Sequence, residues 1–262
     1  MNEPASKEIK EIVSNGSREE AGAVEYHKKN LWKTENANYS RPHYRLEKAA
    51  RIANKIAGGK ECTLLDVGCG PATLSRLLAP SIEYYGIDIA IQVPAPNLLE
   101  VDLLENPIRF GEKRFDIVLA QGFFEYAGSF QSQKFVEISQ LLTRNGKFIL
   151  SYVNFGHRER DVYWLYNNIQ PLDNFRKSLA QHFKIHRSFP TSHNWKHSEP
   201  NRKVLKSANI YFDANIPFIS PIFAVEYFFI CSRPLSQQTL WLERLCDHAD
   251  TNGFLAIRAG GN

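Results

Sequence analysis

The stretch Thr63–Ser75, TLLDVGCGPATLS, decides the fold because it joins a buried strand to a glycine-containing turn. The apolar run Thr63–Val67 predicts a strand, and Gly68 and Gly70 follow it directly. Glycines at such a turn let the backbone approach a ligand closely, since no side chain stands in the way. A helical pattern then covers Ala72–Leu78. The stretch is typical of a nucleotide-binding turn at the carboxyl end of a parallel strand.

A negative charge beside the turn distinguishes between the nucleotides that it could hold. A dinucleotide-binding turn reads GxGxxG and presents a helix N-terminus to a pyrophosphate, but this turn lacks the third glycine. Asp66 precedes Gly68 closely, and a carboxylate beside a pyrophosphate would be unfavourable. It suits S-adenosylmethionine, which carries a sulfonium and an ammonium and no phosphate. The turn therefore favours a cationic adenosyl ligand.

The rest of the chain alternates between apolar runs and helical patterns, which predicts a mostly parallel sheet with right-handed crossovers. Helices are predicted at His43–Ile56 and Phe130–Leu142, and the two prolines at residues 94 and 96 predict a short or missing helix after the second strand. Further strands are predicted at Glu83–Ile87, Leu98–Val101, Phe115–Ala120, Lys147–Val153, Phe183–Phe189 and Phe223–Ile230. The expected fold class is α/β, with a Rossmann-like seven-stranded sheet and helices on both faces.

Four segments continue the pattern of the turn in chain order. They are Tyr84–Asp88 (YYGID), Val101–Leu103 (VDL), Phe115–Ala120 (FDIVLA) and Leu141–Leu150 (LLTRNGKFIL). With the turn, they resemble the five ordered motifs of class I S-adenosylmethionine-dependent methyltransferases, over roughly residues 62–153. Ala72 stands where many members have a third glycine. The resemblance implies S-adenosylmethionine as cofactor and methyl transfer as the activity.

Composition and periodicity along the chain suggest its division into segments. We expect a mobile leader at 1–20, an N-terminal helical cap or lid at 21–60, and a methyltransferase domain at 61–235. An insertion or lid at about 190–215 precedes the last strand, and a C-terminal helix and tail occupy 236–262.

Cofactor-binding residues follow from the motif positions. Asp88 is expected to accept hydrogen bonds from the ribose hydroxyls, Asp102 from the adenine amino group, and Arg45 is expected to pair with the cofactor carboxylate. Each of these side chains could instead be structural or solvent-exposed. The full predicted set is Asp66, Gly68, Gly70, Asp88, Ile89, Asp102, Leu103, Gln121, Tyr39 and Arg45.

The methyl acceptor is expected above the fourth and fifth strands. Related small-molecule methyltransferases often carry Glu-His where this chain has Glu125-Tyr126, so a histidine base at that position is not carried over. The candidates for a base or polar anchor are His43, Tyr126, His157 and His193. His193 and His197 lack a clear carboxylate partner, so no metal site is expected.

Several partner classes are disfavoured by the sequence. Residues 120–123, AQGF, differ from the Asn/Asp-Pro-Pro-aromatic tetrad of nucleic-acid methyltransferases, no Pro-Cys nucleophile follows, and the formal net charge is only +4. The apolar run 216–230 is broken by prolines and a glutamate, so no membrane segment is expected. Four cysteines without a CxxC pair suggest a cytoplasmic protein with free thiols. A homodimer is left open.

Two functions remain. The first is a methyltransferase acting on oxygen or nitrogen of a small-molecule acceptor, with a sugar or glycosylated secondary metabolite as the leading substrate class. The second follows from a resemblance of Ser151–Arg158 (SYVNFGHR) and Ala224–Ile230 (AVEYFFI) to the MetW family, which implies a non-catalytic partner of an acyltransferase. The intact Asp66, Gly68, Gly70 and Asp88 favour the enzyme. A protein substrate also stays open.

Overall fold

The computed structural model describes residues 44–91, 93–154, 170–194, 209–210 and 215–234. Tyr39, His43 and His157 lie outside the described residues, as do the predicted leader and C-terminal tail.

One sheet organises the described residues. Its strands are β1 (Cys62–Val67), β2 (Ile82–Asp88), β3 (Leu98–Glu100), β4 (Phe115–Ala120), β5 (Leu142–Val153), β6 (Lys184–Asn194), β7 (Asn209–Ile210) and β8 (Ala224–Ser232). Their spatial order is β3-β2-β1-β4-β5-β8-β6-β7. Strands β1 to β5 pair in parallel, and β8 is antiparallel to both β5 and β6. The carboxyl ends of β1, β2, β4 and β5 therefore meet at one edge.

The described helices follow the sequence pattern except after β1, where an α-helix is missing. Those described are α1 (Tyr44–Ala57), α2 (Phe124–Ala127), α3 (Gln131–Leu141), α4 (Leu172–His182) and α5 (Ser220–Phe223), with 3₁₀ turns at Thr73–Leu77 and Gly128–Phe130. The helix predicted at Ala72–Leu78, after the glycine turn at residues 68–70, is wrong, because Thr73–Leu77 forms only a 3₁₀ turn. Only residues 68–81 connect β1 to β2, and Leu78 is already extended before Pro80.

The predicted Rossmann-like, mostly parallel sheet is confirmed, with one short strand beyond the seven predicted. The two-residue β7 adds to the edge by pairing with His193 and Asn194 of β6. Strand β6 also continues past residue 189, where the sequence suggested that an insertion begins, because Pro190 and His193 still pair with β8. As predicted, no helix lies in the described residues between β2 and β3.

Two apolar layers cover the sheet. On one face, α1 buries Ala49, Ala50 and Ala53 against a layer that includes Leu64 and Ile149. On the other, α3 and α4 cover a larger cluster in which aromatic rings predominate. Its central rings are Phe115, Phe124, Phe135, Phe148, Tyr152 and Phe175. Burial of these faces fixes the sheet and so fixes the loops at its carboxyl edge.

Gly86 of β2 leaves room for Cys69 of the glycine turn and for Leu98 of β3. A Cβ at Gly86 would lie 2.8 Å from both Cys69 Sγ and Leu98 Cδ2. We expect Gly86→Ala to lower the free energy of unfolding by about 1–3 kcal/mol through this overpacking. Urea denaturation measures the change. Gly111→Ala is the control for a glycine-to-alanine change without overpacking, because a Cβ there meets nothing within 4 Å. Its positive φ of 57° adds some backbone strain. An unchanged midpoint for Gly86→Ala would contradict the prediction.

Candidate functional site

The glycine turn at residues 68–70 is held against the end of β2 by hydrogen bonds from its backbone amides. The Gly68 amide donates to Ile87 O at 2.8 Å, and the Gly70 amide donates to Asp88 Oδ2 at 2.8 Å. Gly68 and Gly70 have φ values of 76° and 53°, which glycine adopts without strain. The turn therefore exposes backbone rather than side chains at the carboxyl end of β1, as a nucleotide requires.

Asp88, the last residue of β2, accepts hydrogen bonds from the glycine turn and from the residues that follow β2. Its Oδ1 accepts from the Ala90 amide at 3.2 Å, and the residue is only 5% exposed. Burial raises the pKa of Asp88, while hydrogen bonds from the amides of Gly70, Ala90 and Ile89 oppose the rise. The predicted residues Asp88, Ile89 and Gly70 are thus brought together, and their backbone amides converge on one carboxylate.

Asp66 is a buried carboxyl beside the same turn. It is 4% exposed and accepts a hydrogen bond from Tyr84 Oη at 3.0 Å. Burial raises its pKa to about 7, the Tyr84 hydrogen bond opposes the rise, and the nearby Asp88 adds to it. Within the described part of the chain, no basic side chain forms an ion pair with Asp66. A bound cation would supply the missing charge, so the residues present fit a cationic ligand.

Asp102 and Leu103 follow β3 at the same edge. Asp102 Oδ1 accepts from the Leu104 amide at 2.9 Å, and its carbonyl accepts from the Asn106 amide at 2.9 Å. Leu103 is 1% exposed and belongs to the apolar core. These contacts shape the loop, and the adenine role of Asp102 stays a prediction.

Gln121 and Arg45 join α1 to the end of β4. Gln121 Nε2 donates to Arg45 O at 3.1 Å, and Arg45 Nη2 lies 3.1 Å from Glu226 Oε1. A Cβ at Gly122 would lie 2.9 Å from the same Nη2 atom, so the guanidinium sits directly over this glycine. Arg45, predicted to pair with the cofactor carboxylate, therefore has an ion pair with a residue of β8.

A second buried carboxyl lies beside this ion pair. Glu125 of α2 is 4% exposed, and its Oε1 accepts from the Val153 amide at 2.9 Å. Burial raises the pKa of Glu125 to about 7, the like charge of Glu226 adds to it, and Arg45 opposes it. We call Arg45, Glu125 and Glu226 the acceptor-side cluster, because they meet at the carboxyl ends of β4 and β5.

The predicted histidine and tyrosine have different surroundings. His193 is fully buried in β6, and its Nε2 lies 2.7 Å from Ser220 Oγ. Burial and the charge of Lys48 lower the pKa of His193, which favours the neutral ring. Tyr126 is half-buried in α2, directly after Glu125. The catalytic roles of both stay predictions.

Ser220 links the His193 ring to the segment before β8. Its Oγ also accepts from the Ile216 amide at 2.7 Å, and Ser220 is fully buried. We expect Ser220→Ala to lower the free energy of unfolding by about 1–3 kcal/mol, because the buried His193 ring and the half-buried Ile216 amide each lose a hydrogen bond. Thermal unfolding measures this, with Ser139→Ala as control because its hydroxyl donates near the surface to Val136 O. Equal stability of the two variants would contradict the prediction.

Comparison with known proteins identifies the domain. Residues 65–150 match the family model described as a methyltransferase domain. Residues 65–150 are therefore a methyltransferase domain. The match supports S-adenosylmethionine as its cofactor. No curated protein matches the chain.

Solved structures share the fold of this methyltransferase. A S-adenosylmethionine-dependent methyltransferase from Archaeoglobus fulgidus is 16% identical, with a TM-score of 0.50 over 74% of this chain and 96% of that one. A protein from Pyrococcus horikoshii OT3 is 15% identical, with a TM-score of 0.50 over 80% of this chain and 99% of that one. At such identities the likeness shows the fold alone. The resemblance to MetW stays a prediction.

Two residues of the acceptor-side cluster were absent from the predicted site. Glu125 occupies the first position of the Glu-His pair of related methyltransferases, but without the histidine the pair does not predict a role for it. Glu226 is far from it in sequence and comes near only because β8 inserts beside β5, pairing Glu226 with Val153. The signal was a single glutamate within an otherwise apolar strand, AVEYFFICS.

The described ranges contain neither a candidate membrane helix nor a candidate metal cluster. No helix there is long and apolar enough to cross a membrane. No group of three or more His, Cys, Asp or Glu side chains in those ranges could hold a metal ion.

Proposed function

We propose that this methyltransferase acts on an oxygen or nitrogen atom of a small molecule, with a sugar or glycosylated secondary metabolite as the leading acceptor class. The observation that carries the proposal is the juxtaposition of two buried polar clusters at one sheet edge. The glycine turn with Asp66 and Asp88 lies at β1 and β2, and the acceptor-side cluster lies at β4 and β5.

Contacts at Phe123 connect the two clusters. A Cβ at Gly68 would lie 3.6 Å from Phe123 Cβ, and Phe123 directly follows Gly122, over which the Arg45 guanidinium sits. An acceptor placed beside the second cluster would therefore lie next to the turn that binds the cofactor. Such proximity supplies much of the acceleration in a transfer reaction, since it removes the entropic cost of bringing the reactants together.

The residues of the turn are proposed to hold the cofactor. S-adenosylmethionine supplies an electrophilic methyl group when it is bound. Asp88 would accept hydrogen bonds from the ribose, Asp66 would offset positive charge, and Asp102 would accept from the adenine amino group. The described cysteines, Cys62, Cys69 and Cys231, are free thiols, which supports the proposal of a cytoplasmic enzyme.

Isothermal titration calorimetry with S-adenosylmethionine tests whether the chain is an enzyme or a MetW-like partner without cofactor. We expect saturable binding of one molecule per chain, and competition by S-adenosylhomocysteine. Glu61→Ala should bind the cofactor as wild type does, because this exposed carboxylate precedes β1 at the opposite edge of the sheet. No binding at millimolar cofactor would overturn the proposed function.

A further inference from the structure

The acceptor-side cluster carries more negative than positive charge. The charged side chains that act on Glu125 are Glu226, which raises its pKa, and Arg45, which lowers it. With both glutamates ionised, one guanidinium faces two carboxylates. Arg45 Nη2 lies 3.1 Å from Glu226 Oε1, so Glu226 has an ion pair, although that oxygen makes no hydrogen bond to the described residues.

Glu125 also has a buried oxygen that lacks a partner. Its Oε1 accepts from the Val153 amide, whereas its Oε2 is buried and has no hydrogen-bond partner among the described residues. A buried carboxylate oxygen without a donor is costly, and the nearby Glu226 increases that cost. A ligand that brings both a donor and a positive charge would satisfy this atom, whereas an alcohol would bring the donor alone.

We propose that the acceptor is an amine that binds as its ammonium form, and that Glu125 Oε2 accepts the proton that the nitrogen must lose before methyl transfer. This inference rests on the proposed function and narrows its acceptor class. The side chain of Arg45 is 41% exposed and that of Glu226 3%, so the ion pair extends from solvent to the buried carboxylates.

The steps balance. The ammonium R–NH3⁺ gives a proton to the Glu125 carboxylate and becomes R–NH2. The nitrogen lone pair forms a bond to the methyl carbon while the carbon–sulfur bond breaks, and its electron pair stays on sulfur. The products are R–NH2⁺–CH3, S-adenosylhomocysteine and the proton on Glu125, which returns to solvent. A carboxyl that titrates near neutral pH is suited to accept and release that proton.

The test uses the full chain, S-adenosylmethionine labelled with ¹³C in the methyl group, and a library that pairs each amine with the alcohol of the same carbon skeleton. The carbon chemical shift of the transferred methyl distinguishes N–CH3 from O–CH3. We expect N–CH3 products. O–CH3 products, or no transfer to any amine while calorimetry shows cofactor binding, would overturn the inference. Absence of cofactor binding would instead overturn the proposed function.

Variants test the role of Glu125 itself. Glu125→Gln keeps an acceptor for the Val153 amide and removes the charge, so N-methylation should fall on the order of 100-fold with cofactor affinity unchanged. The wild-type rate at saturating cofactor should rise with pH through about 7, and Glu125→Gln should lose this step. A rate and pH profile like wild type would refute the role.

A second variant guards against misfolding of the first. Glu226→Gln removes the like charge that raises the pKa of Glu125, so the step in the pH–rate profile should move to lower pH. Glu61→Gln, at the opposite edge of the sheet, should leave the profile unchanged. A step that stays in place in Glu226→Gln would show that Glu125 is not the titrating base.

Discussion

Asp88→Ala is expected to weaken S-adenosylmethionine binding by roughly 10- to 150-fold. Hydrogen bonds to a charged acceptor contribute about 1.5–3 kcal/mol, and about 1.4 kcal/mol corresponds to a factor of ten in the dissociation constant. Asp88 is proposed to serve the ribose hydroxyls, and its two oxygens also hold the Gly70 and Ala90 amides. The substitution therefore removes ligand contacts and loosens the turn that presents the backbone.

Two measurements separate these effects. Calorimetry gives the change in affinity, and urea denaturation of the cofactor-free protein gives the cost of losing the two amide contacts, which we expect to be about 1–3 kcal/mol. Glu61→Ala serves as the control in both. A less stable variant with wild-type affinity would show that Asp88 only shapes the turn, and the ribose assignment would be wrong.

The sequence predicts the cofactor side of the site better than the acceptor side, for a physical reason. Asp66, Gly68 and Gly70 lie within one short segment at the end of β1, and Asp88 ends the adjacent β2, so local pattern and sheet order bring them together. Glu125 and Glu226 come from α2 and from a strand that inserts beside β5 antiparallel to it. No local periodicity encodes that insertion.

Helix prediction failed where chain length outweighs pattern. Residues 72–78 have helical spacing, but Ala72 is left-handed and Leu78 is extended, so only the 3₁₀ turn Thr73–Leu77 forms between them. His193 was placed in an insertion, whereas backbone pairing with β8 draws it into β6 and buries it. In both cases tertiary pairing outweighs local preference.

Cofactor-free stability is expected to fall as pH rises from about 4 to about 7. The folded-state pKa values of Asp66 and Glu125 are both raised to about 7. Such groups favour the folded state below their unfolded pKa values, and this contribution is lost as pH rises through the folded values. Each pKa unit corresponds to roughly 1.4 kcal/mol, so both carboxyls act against folding at neutral pH. Thermal unfolding across this range, with Asp66→Asn as comparison, measures the Asp66 share.

Cofactor binding should show the opposite pH dependence. A cationic ligand favours ionised Asp66, so affinity for S-adenosylmethionine should fall by up to about tenfold per pH unit below 7. Asp66→Asn should bind weakly, and any pH dependence that it retains belongs to other groups such as Asp88. Calorimetry between about pH 5 and pH 8 measures the affinity of wild type and of Asp66→Asn for S-adenosylmethionine. An affinity that is constant over this range in wild type would contradict the charge role of Asp66.

Tyr84 offers a way to shift that dependence without removing the carboxyl. Its hydroxyl donates to Asp66 Oδ2 and thereby lowers the pKa of Asp66. Tyr84→Phe should raise this pKa further and move the fall in affinity to higher pH. Tyr85→Phe is the matched control, because the hydroxyl of this neighbouring tyrosine donates to Glu83 instead. A shift in Tyr84→Phe alone would show that Asp66 titrates in the cofactor site, where none of the described residues offers it a basic partner.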